Sequence, residues 1–514
     1  MALAGAGVSP SRRGGLTPLS WAAKGGHQAV VKMLLERDNV NPSIADRDGE
    51  TPLLIAARGG YAGIVKMLLE RIDVNPNTAD EYGETPLHIA ACEGHEGVVK
   101  ALLEGNDVNP NIADEYGETP LHIAACEGHE GVVKVLLERS DVNPNTRDRF
   151  GLTPLCGAAC NGHEGVAKVL LECNQVNPNT AGDDGKAPLF IATCEGHEGI
   201  VKILLGRNDV NPNITGDDGK APLFIATCEG PEEIVKILLE RDDVNPNIAD
   251  RYGETPLLVA AREGYERVVK MLLARNDVNP NTRDRSGKTP LYRATYEGHE
   301  GVVKMLLGRN DVNPDTADSR GRTPLFIAAH KGYEEVARML LGSKDITPDT
   351  ANKQGQTPLL IAAWEGHERI VIMLLERCDV NPNTAESGGK TPLYMAAWGG
   401  HEGVVKMLLE RWDVNPNTAN RFDKTPLMVA TSNGHEVVVK MLLERANVNS
   451  DMTDVAGKTA LSEAQKRQHD RPIIKLLSKQ RNSIPRLAGN ESTASSSQGP
   501  SDPDLRRSKR IRRV

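Results

Sequence analysis

Aromatic side chains are scarce: five phenylalanines, nine tyrosines and four tryptophans make up 4% of 514 residues. So few rings exclude a core built on aromatic layers, and they make the place of each ring informative. No run of 18 apolar residues occurs, so no segment reads as a membrane-spanning helix, and Met1 to Gly15 lacks the apolar stretch of a signal peptide. Only eight cysteines are present; without a secretory leader they argue against a disulfide scaffold and for a reducing compartment, cytoplasmic or nuclear. Catalytic signatures are missing as well, with no HExxH, nucleophile elbow or dinucleotide fingerprint. Gly-Lys-Thr occurs at Gly287, Gly389 and Gly457, but a phosphate loop also needs an upstream glycine where Thr282, Thr384 and Met452 stand. These absences point away from an enzyme, a cofactor or a metal centre.

What the chain does have is a lattice. The tripeptide TPL or a close variant recurs every 34 residues from Thr17 to Thr459, fourteen times without an insertion. Such a strict period means stacked units rather than one globular core. Within a unit, Thr85 is a good helix N-cap and Pro86 a good first helical residue, so a short helix begins there. Gly94 stops it, and a glycine holds that place in thirteen of the fourteen units, as expected where a positive φ is needed. A second helix runs through His95 to Glu104, with Val98, Val99, Leu102 and Leu103 on one apolar face. The connection from Asp107 to Glu118 is rich in Asn, Pro, Asp and Gly and reads as an extended finger with a turn at its tip.

Two antiparallel helices and a protruding turn, opening on Thr85-Pro86-Leu87-His88-Ile89-Ala90-Ala91, resemble the ankyrin repeat over about nine tenths of the chain. The resemblance implies an all-α repeat solenoid of helix-turn-helix units with β-hairpin fingers, wound into an elongated, curved superhelix. Two features depart from the family pattern. The usual Asn-Gly-Ala step after the second helix is here Arg-Asn-Asp or Arg-Asp-Asp, and the finger carries extra residues around Asn-Pro. The motif histidine survives only as His88 and His122, its place being taken by Leu54, Phe190, Phe224, Tyr292, Phe326, Leu360, Tyr394 or Met428, so greasier packing is expected beneath those fingers. The DVNPN finger is similar to that of fungal ankyrin arrays, including the carboxy-terminal arrays of nucleotide-oligomerising immune-type receptors.

Formal net charge is −9, and the stretch from Ile484 to Val514 holds seven Arg or Lys against three acids, which leaves the array at about −13. An acidic array argues against broad nucleic-acid binding. Cys92, Cys126, Cys160, Cys194 and Cys228 form one column. Equivalent positions of stacked helices lie roughly 8–10 Å apart, beyond the ~7 Å Cα reach of a disulfide and too far for zinc ligation. That column reads as small residues copied by duplication; Ala79 to Lys100 repeats letter for letter as Ala113 to Lys134. Ten of thirteen histidines start second helices, a column where Tyr61, Tyr265, Tyr333 and Pro231 also occur, so they are not general bases.

Function then falls to the positions that the lattice leaves free. One is the cysteine column, which elsewhere holds Arg262, Tyr296, His330, Trp364 and Trp398 and which the ankyrin resemblance places on the concave groove. The other is the finger tip, with Tyr82, Tyr116, Phe150, Tyr252 and Phe422. Exposed aromatics and arginine are the usual anchors of protein interfaces, and the consecutive Trp364 and Trp398 are expected to be the strongest. The alternative for Tyr82, Tyr116 and Phe150 is packing of adjacent fingers on one another. Trp412, at the end of a second helix, is expected to pack laterally.

Three segments are expected. Residues 1–14 form a flexible segment, which either covers a truncated first unit or marks a chain derived from a larger receptor. Residues 15–482 form the array of fourteen units, the last a polar cap. Residues 483–514 form a disordered Ser-, Gly- and Pro-rich tail ending in Arg506, Arg507, Lys509, Arg510, Arg512 and Arg513. That cluster reads as a nuclear import signal, a nucleic-acid arm or a solubilising tail. The expected function is a non-enzymatic, monomeric scaffold that binds another protein through groove and finger tips, without cofactor, small-molecule substrate or membrane. Competing expectations are a recognition array belonging to, or derived from, an immune-type receptor, and a nuclear regulator whose tail contacts nucleic acid.

Overall fold

A computed structural model describes residues 16–105, 107–466 and 471–483. Among these there are 28 helices and no strand. No helix among the described residues is long and apolar enough to cross a membrane. Short first helices, such as Pro86–Cys92, alternate with second helices, such as Glu96–Leu103, and the chain forms an all-helical repeat solenoid. It divides into two compact units, the first ending at Ser387 and the second beginning at Gly388. In the first, side chains such as Leu87, Ala90, Ala91, Val98, Val99 and Leu102 are buried in successive layers. Leu393, Ala396, Ala397, Val404, Val405 and Leu408 do the same in the second.

Each first helix starts as its threonine dictates. The Thr153 hydroxyl accepts from the Cys156 backbone N–H, and the same cap recurs at Thr255, Thr289, Thr323 and Thr357. Ala187 and Ala221 stand in this column without a side-chain cap, although their backbone is equally extended. Restoring the hydroxyl with Ala187→Thr is expected to stabilise the first unit by about 1 kcal/mol, the usual worth of such a cap. The urea midpoint should rise; an unchanged midpoint would show that the helix does not depend on it.

The glycine before each second helix serves two purposes. Gly128 takes φ 80°, and a β-carbon there would come within 2.6 Å of the His163 ring. That imidazole reaches back to the preceding layer, where its Nε2 lies 2.8 Å from the Cys126 carbonyl. His129, His197 and His299 make the same link to Cys92, Cys160 and Arg262. The histidine column thus ties a helix start to the free carbonyl at a helix end one layer earlier. Gly230 departs from the expected positive φ, with φ −88° and ψ 161°, because Pro231 disfavours helical backbone in the residue before it.

The Asn-Pro-Asn departure from the family pattern builds a second ladder. Asn111 donates through Nδ2 to the Asp141 carbonyl at 2.7 Å and accepts through Oδ1 from the Asn143 N–H at 2.9 Å. Equivalent rungs run from Asn145, Asn179, Asn213, Asn247 and Asn281. Beside it, Arg139 grips Asp141 with two nitrogens while its third reaches the Leu103 carbonyl. Arg275 and Arg309 repeat this clip on Leu239 and Leu273.

The fingers are tight turns rather than the expected β-hairpins. Asp114 Oδ1 accepts from the N–H groups of Tyr116 and Glu118, and the Asp114 N–H donates to the Glu118 carbonyl. Successive fingers are joined through one backbone bond, as from Arg149 N–H to the Tyr116 carbonyl, too few for a strand ladder. Beneath them, His88 and His122 are buried, with Nδ1 on the threonine cap and Nε2 on a finger carbonyl. Where the histidine is replaced, Leu54, Phe190, Phe224, Phe326, Leu360 and Met428 are buried as expected, but two positions are not simply greasy. The Tyr292 hydroxyl donates to Asp318 at 2.9 Å, and the Tyr394 hydroxyl accepts from Asn420 at 3.1 Å.

Candidate functional site

The first unit brings four of the candidate residues into one column at the ends of consecutive first helices. Arg262 holds Glu254 at 2.5 Å and Glu263 at 2.8 Å. Tyr296 is half-buried beneath the Lys331 ammonium, 4.7 Å from its ring centre, with Lys288 at 5.9 Å. His330 is exposed, with Nδ1 3.4 Å from Glu365, and Trp364 is half-buried. The second unit places Trp398 at the end of Pro392–Gly399 with 43% of its surface open.

An inward position that sequence reasoning passed over lies in the same column of layers. Arg293 occupies a place where Ile89, Ile191, Ile225, Val259, Ile327 and Ile361 are buried. Its guanidinium binds Asp284 at 2.6 Å and Glu254 at 3.1 Å, and its buried Nε has no partner. Glu254 therefore bridges Arg293 and Arg262. One layer on, Asp318 receives the Tyr292 hydroxyl and two nitrogens of Arg322. Burial alone would raise the Asp318 carboxyl, but these donors outweigh it and hold it below the ordinary carboxylate range. Burial, reinforced by Arg293 and Arg322, lowers the Lys288 ammonium. The signal was available: the one arginine in a column that is mostly isoleucine and valine.

Finger tips carry the other candidates, all between 43% and 54% exposed: Tyr82, Tyr116, Phe150 and Tyr252 in the first unit and Phe422 in the second. Tyr116 and Phe150 share one cation, the Arg149 guanidinium lying 4.5 Å from one ring centre and 4.8 Å from the other. Arg251 covers Tyr252, and Arg421 covers Phe422, in the same way. Of these tips Tyr116 and Phe150 are thus bridged by one arginine, and their rings stay partly open to water.

Charge is segregated along the first unit. Fingers and first helices around Asp80, Glu81, Glu84, Asp114, Glu115 and Glu118 are acidic, and burial, with Asp114 and Asp148 close by, pushes the Glu118 carboxyl up to about 7. Around residues 283–331 the balance reverses, with nine Arg or Lys (Arg283, Arg285, Lys288, Arg293, Lys304, Arg309, Arg320, Arg322 and Lys331) against six acids (Asp284, Glu297, Glu300, Asp311, Asp315 and Asp318).

Of three other expectations, one is corrected. Trp412 does not pack laterally: 90% of its surface is open, because its helix ends at Glu410 and the ring lies beyond it. The eight cysteines are all free thiols. Burial raises Cys92 and Cys228 to about 11 and Cys126 to about 12, so none of these three is a thiolate near neutral pH. The basic cluster Arg506, Arg507, Lys509, Arg510, Arg512 and Arg513 lies outside the described residues, as do residues 1–14.

The family described as ankyrin repeats (3 copies) matches residues 2–80, 68–148, 140–215, 201–284, 274–352, 344–420 and 413–486. Among solved structures the chain is similar to the ankyrin repeat domain of Bcl-3, described as a unique member of the IkappaB protein family. Identity is 24%, over 44% of this chain and 98% of that one, with a TM-score of 0.40. None of the curated proteins matches the chain.

Proposed function

The chain belongs to the ankyrin repeat family, whose repeats are in general protein-interaction modules, and from that premise we propose a non-enzymatic scaffold that holds another protein on its first-helix ends and finger tips. The observation that carries this reading is the column Arg262, Tyr296, His330 and Trp364. Rings and charges stand there in positions at least partly open to water, where the units from Cys92 to Cys228 place a small thiol. Packing of the layers does not require them, and half-open aromatics beside arginine are what interface anchors look like before a partner covers them. In the second unit Trp398 and Phe422 offer the same chemistry.

Affinity purification from the native cell, comparing the intact chain with Trp364→Ala and with Trp398→Ala, tests the reading. An anchor ring contributes about 2 kcal/mol or more, so recovery of a true partner should fall at least tenfold with one or both variants while helix content is unchanged. Identical partner lists from all three proteins would remove the first-helix ends from consideration.

A further inference from the structure

We propose that the basic face from Arg283 to Lys331 docks an extended, acidic peptide segment of the partner, laid against the Tyr296 ring. The inference rests on the protein-binding reading above and adds the chemistry of what binds. Arg285, Lys288, Arg320 and Lys331 have no carboxylate within ion-pairing distance among the described residues, whereas Arg293 and Arg322 are held by Asp284, Glu254 and Asp318. The paired arginines are thus the floor, and the unpaired cations are the rim. Lys288 and Lys331 both approach Tyr296, which leaves a ring flanked by two ammonium groups that an acidic residue would neutralise. Arg285 and Arg320 stand on consecutive finger tips, both exposed, joined by the bond from the Ser319 N–H to the Ser286 carbonyl.

Spacing favours an extended occupant. Stacked layers repeat at roughly 8–10 Å, and an extended chain advances ~3.3 Å per residue. An acid at about every third position therefore meets successive rims. A nucleic acid fits less well: its phosphates would run on toward the Asp80–Glu118 stretch of the same unit, on a chain of formal charge −9.

The test is fluorescence anisotropy of the full chain with a labelled Glu-Leu-Ser repeat peptide of about fifteen residues at low salt. Arg285→Glu, Arg320→Glu and Lys331→Glu together should weaken binding about tenfold or more, because charge complementarity governs such contacts. The matched reversal of Lys100, Lys134 and Lys202 on exposed second-helix faces should change it less than about twofold. Absence of saturable binding, or equal loss in both variants, would overturn the proposal. So would a single-stranded oligonucleotide that binds more tightly than the peptide and is lost with the first variant, since nucleic acid would then be the occupant. The two readings separate in partner capture. If a partner is lost with Trp364→Ala but kept by the triple reversal, the scaffold reading stands and the acidic-peptide inference fails.

Discussion

Asp318→Ala is expected to lower the stability of the first unit by about 3–5 kcal/mol, the cost of stranding buried partners of a charge pair. The carboxylate is nearly inaccessible and accepts from five donors: the Arg320 and Arg322 N–H groups at 2.9 Å, the Tyr292 hydroxyl, and Nε and Nη2 of Arg322. Removing it closes no gap and leaves a guanidinium and a phenol facing one another without an acceptor. Asp318→Asn keeps an oxygen for the backbone pair but loses the charge that holds Arg322, so its cost should be smaller, about 1–3 kcal/mol. Because repeat arrays couple mainly to neighbouring layers, hydrogen exchange should show lost protection centred on Pro290–Glu297 and Pro324–Lys331. The pH dependence has a definite sign. The folded carboxyl titrates below its ordinary value, so its contribution is present above that value and is lost as pH falls through the depressed one. The wild-type advantage over Asp318→Ala should therefore shrink on acidification; a cost below 1 kcal/mol at neutral pH would mean that Arg322 finds another acceptor.

The contrast between Asp318 and its surroundings shows what could be read from the chain and what could not. The period, the Thr-Pro helix starts and the Gly stops were legible, because each is a local backbone requirement that a residue type satisfies alone. Links between layers were not. His163 looks like a surface helix start until its reach to the Cys126 carbonyl is known, and Asn111 looks like loop polarity until both ends of its amide are traced. Such bonds join residues 30 to 37 positions apart, and no spacing rule announces them. The β-hairpin expectation failed for a related reason: the family pattern supplies a finger, but only the geometry shows that Asx turns close it. For the candidate surface, the exposed column was readable as variation within a lattice. Its inward, part-buried counterpart Arg293 was visible in the same way, as an arginine among aliphatics, and Trp412 misled because a ring at a helix end gives no sign of which way the chain leaves.

Asp315→Asn and Asp349→Asn are expected to stabilise the first unit, each by about 1–3 kcal/mol at neutral pH. Both aspartates stand where the ladder elsewhere uses asparagine, whose Nδ2 donates to a backbone carbonyl one layer on, as from Asn281 to Asp311 at 2.6 Å. A carboxylate has no proton to give. The acceptor half of the rung survives, since Asp315 Oδ2 accepts the Thr347 N–H at 2.7 Å and Asp349 Oδ2 accepts the Asn381 N–H, lengthened to 3.3 Å. The other half does not: Oδ1 of each is buried without a hydrogen-bond partner, and an unsatisfied buried polar atom costs about 1–3 kcal/mol. Burial raises both carboxyls above the ordinary value, with Asp345 and Asp379 adding to it. For a raised carboxyl the sign reverses relative to Asp318. Its protonated form is the favourable one, so the stabilising contribution is complete below the ordinary carboxylate value and is lost as pH rises through the folded one. Protonation supplies the missing donor, and a neutral carboxyl can then imitate the amide. The gain from the double asparagine variant should accordingly be largest near neutral pH and shrink toward pH ~4, where aspartates begin to protonate, as read from urea midpoints at the two pH values. A gain that stayed constant with pH would show that the substitution acts through packing rather than through the absent proton.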